Sequence, residues 1–209
     1  MTALLQNIFT SLLKNYSDDP DIIDECWKEI EKQYSGSRRF YHTLYHLVNL
    51  YEQLSEVKDR IRQWDTLLFT LFYHDIIYNS MRGDNEERSA LVAEKRLKTL
   101  SVPTGIIRDC REQILATKKH VSSADDDTNY FIDADLSILG QPWEQYNIYR
   151  GQVRKEYSVY PDIVYNPGRK KVLQHFLDMP FIFKTGFFTS KFEMRARQNL
   201  FREIQIINS

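Results

Sequence analysis

Histidine is scarce in this chain: five in all, and three of them, His42, His46 and His74, fall among apolar residues at helical spacing. His42 and His46 are four apart, which predicts that they share one helix face about a turn from each other. His74 follows Leu71-Phe72-Tyr73 and is followed at once by Asp75. Placing an ionised carboxylate in such surroundings costs several kcal/mol, roughly, unless something compensates it. A divalent cation does so, because it accepts imidazole and carboxylate together. Further on, Asp133 and Asp135 are embedded between Phe131-Ile132 and Leu136. They face different directions on a helix, so one of them can point inward and complete a metal shell. Two imidazoles and two carboxylates, with water in the remaining positions, suit Mn, Mg, Fe, Co, Ni or Zn. A structural zinc site would draw on cysteine, so an open, catalytic site is the expectation.

Each piece also has an ordinary explanation. A lone buried histidine is usually a hydrogen-bonded core residue, and an H-x3-H pair occurs by chance on many surface helices. Asp75 could cap a backbone or pair with an arginine, and Asp133 and Asp135 could cap their own short helix. What favours the metal is that all of them fall in the most apolar segments of the chain.

Those segments must be positioned by helices. Leu4, Leu5, Ile8, Phe9, Leu12 and Leu13 predict an amphipathic opening helix. Asp19-Pro20 is an N-cap followed by proline, and starts a second that Ser35-Gly36-Ser37 closes. A third is predicted from about Tyr41 to Glu56. The fourth, Ile61 to about Tyr78, is apolar over most of its circumference, as the central helix of a bundle would be. Helices follow at about Glu86–Leu100 and from Pro103 towards His120. Ser122 to Asn129 reads as a loop, and Phe131 to Gly140 as a short apolar helix ended by glycine. Pro142 starts a helix to about Tyr157, Tyr160 to Gly168 reads as irregular, and two helices fit Arg169–Met179 and Lys191–Ile207. No segment alternates as a strand does. The expected architecture is all-α: one multi-helix bundle over residues 1–209, with a motif region at about 35–140 and C-terminal helices at 141–209 packed on it.

Composition sets the surroundings. With 28 Lys+Arg against 29 Asp+Glu there is no basic field to gather extended nucleic acid. Seven glycines and six prolines are too few for the many turns of a sandwich or barrel. Cys26 and Cys110 lie outside any CxxC spacing on apolar helix faces, which predicts buried free thiols and suits a reducing cytoplasm. No apolar run approaches the ~20 residues of a membrane span. The opening Met-Thr-Ala-Leu-Leu-Gln-Asn lacks the basic n-region of a signal peptide. Self-association into a homo-oligomer is left open.

Tyr41-His42-Thr43-Leu44-Tyr45-His46, then Phe72-Tyr73-His74-Asp75, then Asp133-Ala134-Asp135-Leu136 together resemble the HD superfamily of metal-dependent phosphohydrolases. Its signature is a His, a distant His-Asp doublet and a later Asp, in that order. The chain resembles more closely still an uncharacterised bacterial branch of predicted HD phosphohydrolases. That branch shares Asp84-Asn85-Glu86-x-x-Ser89-Ala90, Asp135 to Gly140, and Ala196-Arg197-Gln198-Asn199-Leu200. The likeness spans roughly residues 35–205.

The resemblance implies metal ligation by His46, His74, Asp75 and Asp135. His46 is preferred to His42 because the segment is similar to the cyclic-nucleotide phosphodiesterase branch, where the second His binds metal. Asp135 is preferred to Asp133 because the family's last ligand sits in an Ala-Asp-Leu context. Binuclear relatives carry a further His where this chain has Asn85 or Glu86, so one ion is expected, with His120 able to support a second.

The implied activity is hydrolysis of a phosphate ester of a small molecule, with a nucleotide as the first substrate class, by metal-activated water. Glu86 is the candidate to orient or deprotonate that water, and a helix N-terminal acid is its plain alternative. His42 would protonate the leaving oxygen. Arg39 would bind phosphate, with Asn85 and His120 as further substrate contacts. Tyr41, Tyr45, Tyr73 and Tyr78 could stack on a base. Arg169, Lys170, Lys171, Arg195 and Arg197 read as helix-surface charges. Two other functions remain: a metal- or nucleotide-binding HD module without turnover, and an HD-type di-iron oxygenase, which needs more ligands than the chain supplies.

Overall fold

A computed structural model describes residues 2–208. Among them are ten α-helices, two short 3-10 turns and no strand. The fold is all-α, as the periodicity predicts. The chain forms two compact units, Met1–Phe131 and Ile132–Ser209.

In the first unit, α1 (Thr2–Leu13) and α2 (Pro20–Tyr34) precede α3 (Leu44–Ser55), α4 (Trp64–Tyr73), α5 (Asn85–Thr99) and α6 (Thr104–Ala116). Asp19 caps α2, its carboxylate accepting from the amides of Asp21 and Ile22. Helix α4 is the centre of the unit: every residue from Thr66 to Tyr73 is buried, and it packs against α1, α3, α5 and α6. Phe72 meets Phe9 of α1 edge-on at 4.7 Å between ring centroids, a favourable aromatic geometry. Both cysteines are buried and free, and burial pushes the Cys110 thiol up to about 12.

Several boundaries differ from those the periodicity predicts. Helix α3 starts at Leu44, capped by the Thr43 hydroxyl, so His42 precedes the helix and does not share a helical face with His46. Helix α4 ends at Tyr73 rather than near Tyr78. The polar run after Ser122 is only partly loop, because Asp125 caps α7 (Asp126–Asp135) through the amide and hydroxyl of Thr128. Acids at a helix N-terminus are favoured by the dipole, and a first turn built of them looks like loop in sequence. Asp127 is buried and accepts from the amides of Arg62 and Gln63. It thereby satisfies the start of α4, whose own cap residue, Gln63, makes no side-chain capping bond to the helix amides.

The last residues of α7 belong to the second unit, followed by a 3-10 turn (Leu136–Gly140), α8 (Trp143–Glu156), α9 (Asp162–Asp178) and α10 (Gly186–Asn208). Helix α9 covers most of a stretch that two prolines make look irregular. Pro161 stands just outside it, and Pro167 lies early enough that only one backbone bond near the exposed first turn is lost. Gly140 is required by packing, not by a left-handed backbone. A Cβ there would lie 2.4 Å from the Cβ of Phe192 on α10. The amide of Asn199 on α10 donates to the carbonyls of Leu139 and Gln141. The turn at Leu136–Gly140 and the middle of α10 are thus stitched to one another within this unit.

Arg169 is not a surface charge. It is buried and makes a bidentate pair with Glu203, at 2.9 and 3.0 Å, and Glu203 also accepts from the Tyr146 hydroxyl. Arg197 bonds Glu193 and donates to the carbonyls of Leu177, Met179 and Pro180, closing the end of α9.

Candidate metal centre

His46 sits in the first turn of α3 and His74 at the C-terminal cap of α4; both are buried. Their Nε2 atoms lie 3.2 Å apart. The Oδ2 of Asp75 is 3.3 Å from His74 Nε2, and the ligating atoms of His46, His74 and Asp75 all lie within 4.8 Å of one another.

The tautomer of His74 follows from its surroundings. Its Nδ1 lies 3.0 Å from the Leu71 carbonyl, and a carbonyl can only accept, so Nδ1 carries the proton. When the ring is neutral, Nε2 is then its acceptor, and it is turned towards another imidazole nitrogen and a carboxylate oxygen. Three ligating atoms meeting in this way fit a cation. Two donors roughly 2.1 Å from one ion and 3.2 Å apart would subtend about 100°, as neighbouring ligands in a tetrahedral or octahedral shell do. A carbonyl on the far nitrogen is also the usual support for a ligating histidine.

The rim is less enclosed. The side chains of His42 and Asp75 are 19% and 18% exposed, against 1% for His74, and His42 Nε2 lies 3.8 Å from Asp75 Oδ2. The His42 ring stacks on Tyr78 at 4.0 Å. The cluster therefore has a closed imidazole side and an accessible carboxylate side.

The other predicted residues take varied places. Asp135 ends α7 and is half-buried in the second unit. Asp133, the alternative to it, is fully buried and accepts from the amides of Lys184 and Thr185 and the Thr185 hydroxyl, at 2.7 Å each. It orders the entry to α10. Arg39 is bound to protein: its guanidinium donates to the carbonyls of His42 and Ile76 and lies over the rings of Tyr34 and Tyr78. Asn85 likewise exchanges bonds with the backbone of Asn79, and Ser89, one turn on, does so with Ile77. The two side chains, four apart on α5, clamp the segment that follows Asp75. Glu86 lies in the first turn of α5, half-buried. His120 occupies the left-handed position, φ 50°, that ends the turns after α6.

Of the tyrosines, Tyr73 is sealed in the core, its hydroxyl without a hydrogen-bond partner, so stacking on a substrate is closed to it. Tyr45 is exposed. Tyr34 is the residue that sequence does not single out: its hydroxyl accepts the Asp75 amide at 3.3 Å. Only its place at the end of an amphipathic helix marks it, and that signals core.

No family model matches the chain, and neither does any curated protein or solved structure. Among the described residues, no helix is long and apolar enough to cross a membrane.

Proposed function

We propose that this chain is an HD-type metal-dependent phosphohydrolase that cleaves a phosphate ester of a small molecule, with a nucleotide as the first substrate class. One observation carries the proposal: two imidazole Nε2 atoms and a carboxylate oxygen converge in an otherwise apolar interior. His46, His74 and Asp75 would hold the ion. A mixed nitrogen and oxygen set of this kind suits Mn, Fe, Co, Ni, Mg or Zn. When bound, such an ion supplies a Lewis acid for a phosphoryl oxygen and an activated water.

The chain's own groups divide the rest of the work. His74 is held by the Leu71 carbonyl with Nε2 presented to the site. His46 is fixed by burial in α3. His42 stands on the open side beside Asp75, with its ring held by Tyr78, and from there it can hand a proton to a leaving oxygen. Glu86 is proposed to orient the attacking water. Arg39 and Asn85 act by holding the two segments that frame the site rather than by touching phosphate. Two buried free thiols support a reducing, cytoplasmic setting.

The test joins metal analysis of purified protein to a phosphate-release screen over nucleotides and simple phosphoesters, with Mn, Mg, Co and Ni supplied in turn. The proposal predicts bound metal and metal-dependent release, both lost in His74→Ala. Protein that binds none of these ions, or a His74→Ala variant with full turnover, would end it.

A further inference from the structure

Helix α4 stops where the site begins, and Tyr34 of α2 meets it there. In a continued helix the Asp75 amide would bond to the Leu71 carbonyl, four residues back. Here that amide donates to the Tyr34 hydroxyl at 3.3 Å, and the Leu71 carbonyl accepts from His74 Nδ1–H at 3.0 Å instead. Each backbone group at the break finds a partner, as buried backbone groups must. The preceding bond, His74 amide to Thr70 carbonyl at 2.8 Å, is still helical, so the departure begins at Asp75. The Leu71 carbonyl also places the hydrogen on Nδ1 of the imidazole. Tyr34 is 1% exposed, and the Arg39 guanidinium lies 4.8 Å over its ring while donating to the carbonyls of His42 and Ile76. The hydroxyl is thus braced from the very segments that carry His42 and follow Asp75.

We propose that Tyr34 is a positioning residue for the metal ligands: by drawing the Asp75 amide out of α4, its hydroxyl frees the Leu71 carbonyl to hold His74 with Nε2 open to the site. Tyr34 touches neither ion nor substrate and acts through His74. Its value as a metal-site residue rests on the function proposed above, whereas its control of the tautomer does not need an ion.

The experiment uses full-length protein labelled with 15N. Two-bond 1H–15N spectra of the metal-free protein report the tautomer of each histidine, and Co(II) titration reports affinity. Wild type is expected to show His74 protonated on Nδ1. In Tyr34→Phe, the ring stays but the acceptor is gone, the Asp75 amide returns to the Leu71 carbonyl, and His74 shifts to the Nε2-protonated form. Co(II) affinity is expected to fall at least tenfold, at about the usual cost of a lost outer-shell partner, with helical circular dichroism unchanged. An unchanged tautomer in Tyr34→Phe, or an affinity within twofold of wild type, overturns the proposal. Should that variant not fold, wild type still decides: an Nε2-protonated His74 in metal-free protein overturns it. Wild type that binds no Co(II), Mn, Mg or Ni while the tautomer shifts as described would sink the phosphohydrolase reading and leave the control of His74 standing.

Discussion

Each unit buries a polar cluster, and the two clusters are built on opposite principles. In the second unit, Arg169, Glu203 and Tyr146 match donor to acceptor: the guanidinium gives two bonds to the carboxylate, and the phenol gives another. The burial that would disfavour the charge on Arg169 is outweighed by Tyr149 and Glu203, which hold its pKa well above the ordinary value. In the first unit, His46, His74 and Asp75 turn ligating atoms towards each other at 3.2 and 3.3 Å. A cluster that balances its own charge is a structural element. One in which ligating atoms converge is the arrangement that the proposed cation would use.

Removing one member should therefore have different consequences in the two places. The largest effect is expected for His74→Ala or Asp75→Ala. Metal affinity should fall by more than ~100-fold, beyond what loss of an outer-shell partner costs, and turnover should vanish while circular dichroism stays helical. Glu203→Ala should do the reverse. It strands a buried guanidinium, so urea denaturation should show a loss of about 3–5 kcal/mol, with metal content per chain unchanged. If Glu203→Ala lowers metal content as His74→Ala does, the two clusters do not differ in the way described. Replacing both partners sharpens the contrast: Arg169→Met with Glu203→Leu should recover to within about 2 kcal/mol of wild type, because no unpaired charge remains. No apolar replacement of His46 and His74 should restore ion binding.

The smallest effect concerns neither cluster and serves as a control in the first unit. Tyr16 bonds to Asp65 of α4 at 2.9 Å. Burial, then that bond, pushes its phenol from 10.0 up to about 12. The sign is fixed: the folded state keeps a proton that the unfolded chain releases. This contribution is complete below pH 10 and is lost as pH rises towards 12. Tyr16→Phe should flatten that part of a stability–pH curve and leave metal binding alone. A wild-type curve with no extra alkaline decline would show the hydrogen bond to be absent.

The helical class and the central place of α4 were legible in the sequence, because an apolar surface all round a helix has only one home. The His-Asp doublet was legible too, since acids and imidazoles stand out against apolar neighbours. The boundaries that matter most for the site were not. Nothing local ends α4 at Tyr73; Tyr34, some forty residues earlier, does so by taking an amide. Nor does anything local mark Arg39 as a brace between the carbonyls of His42 and Ile76. A guanidinium donates to carbonyls and to phosphate with the same fork, and only the fold says which is near. Arg169 was misread for a related reason: its partner Glu203 is 34 residues away, beyond any spacing rule. Asp125 to Asp127 look like loop because the acids that cap and charge a helix start are also those of turns.

The proposed cation would be held between His46, His74 and Asp75, and X-ray absorption on Co(II)-loaded protein addresses that directly. Two imidazole nitrogens at about 2.1 Å from the ion are expected in wild type, and one in His74→Ala if any ion remains. An ion bound without imidazole, or none bound at all, would contradict it.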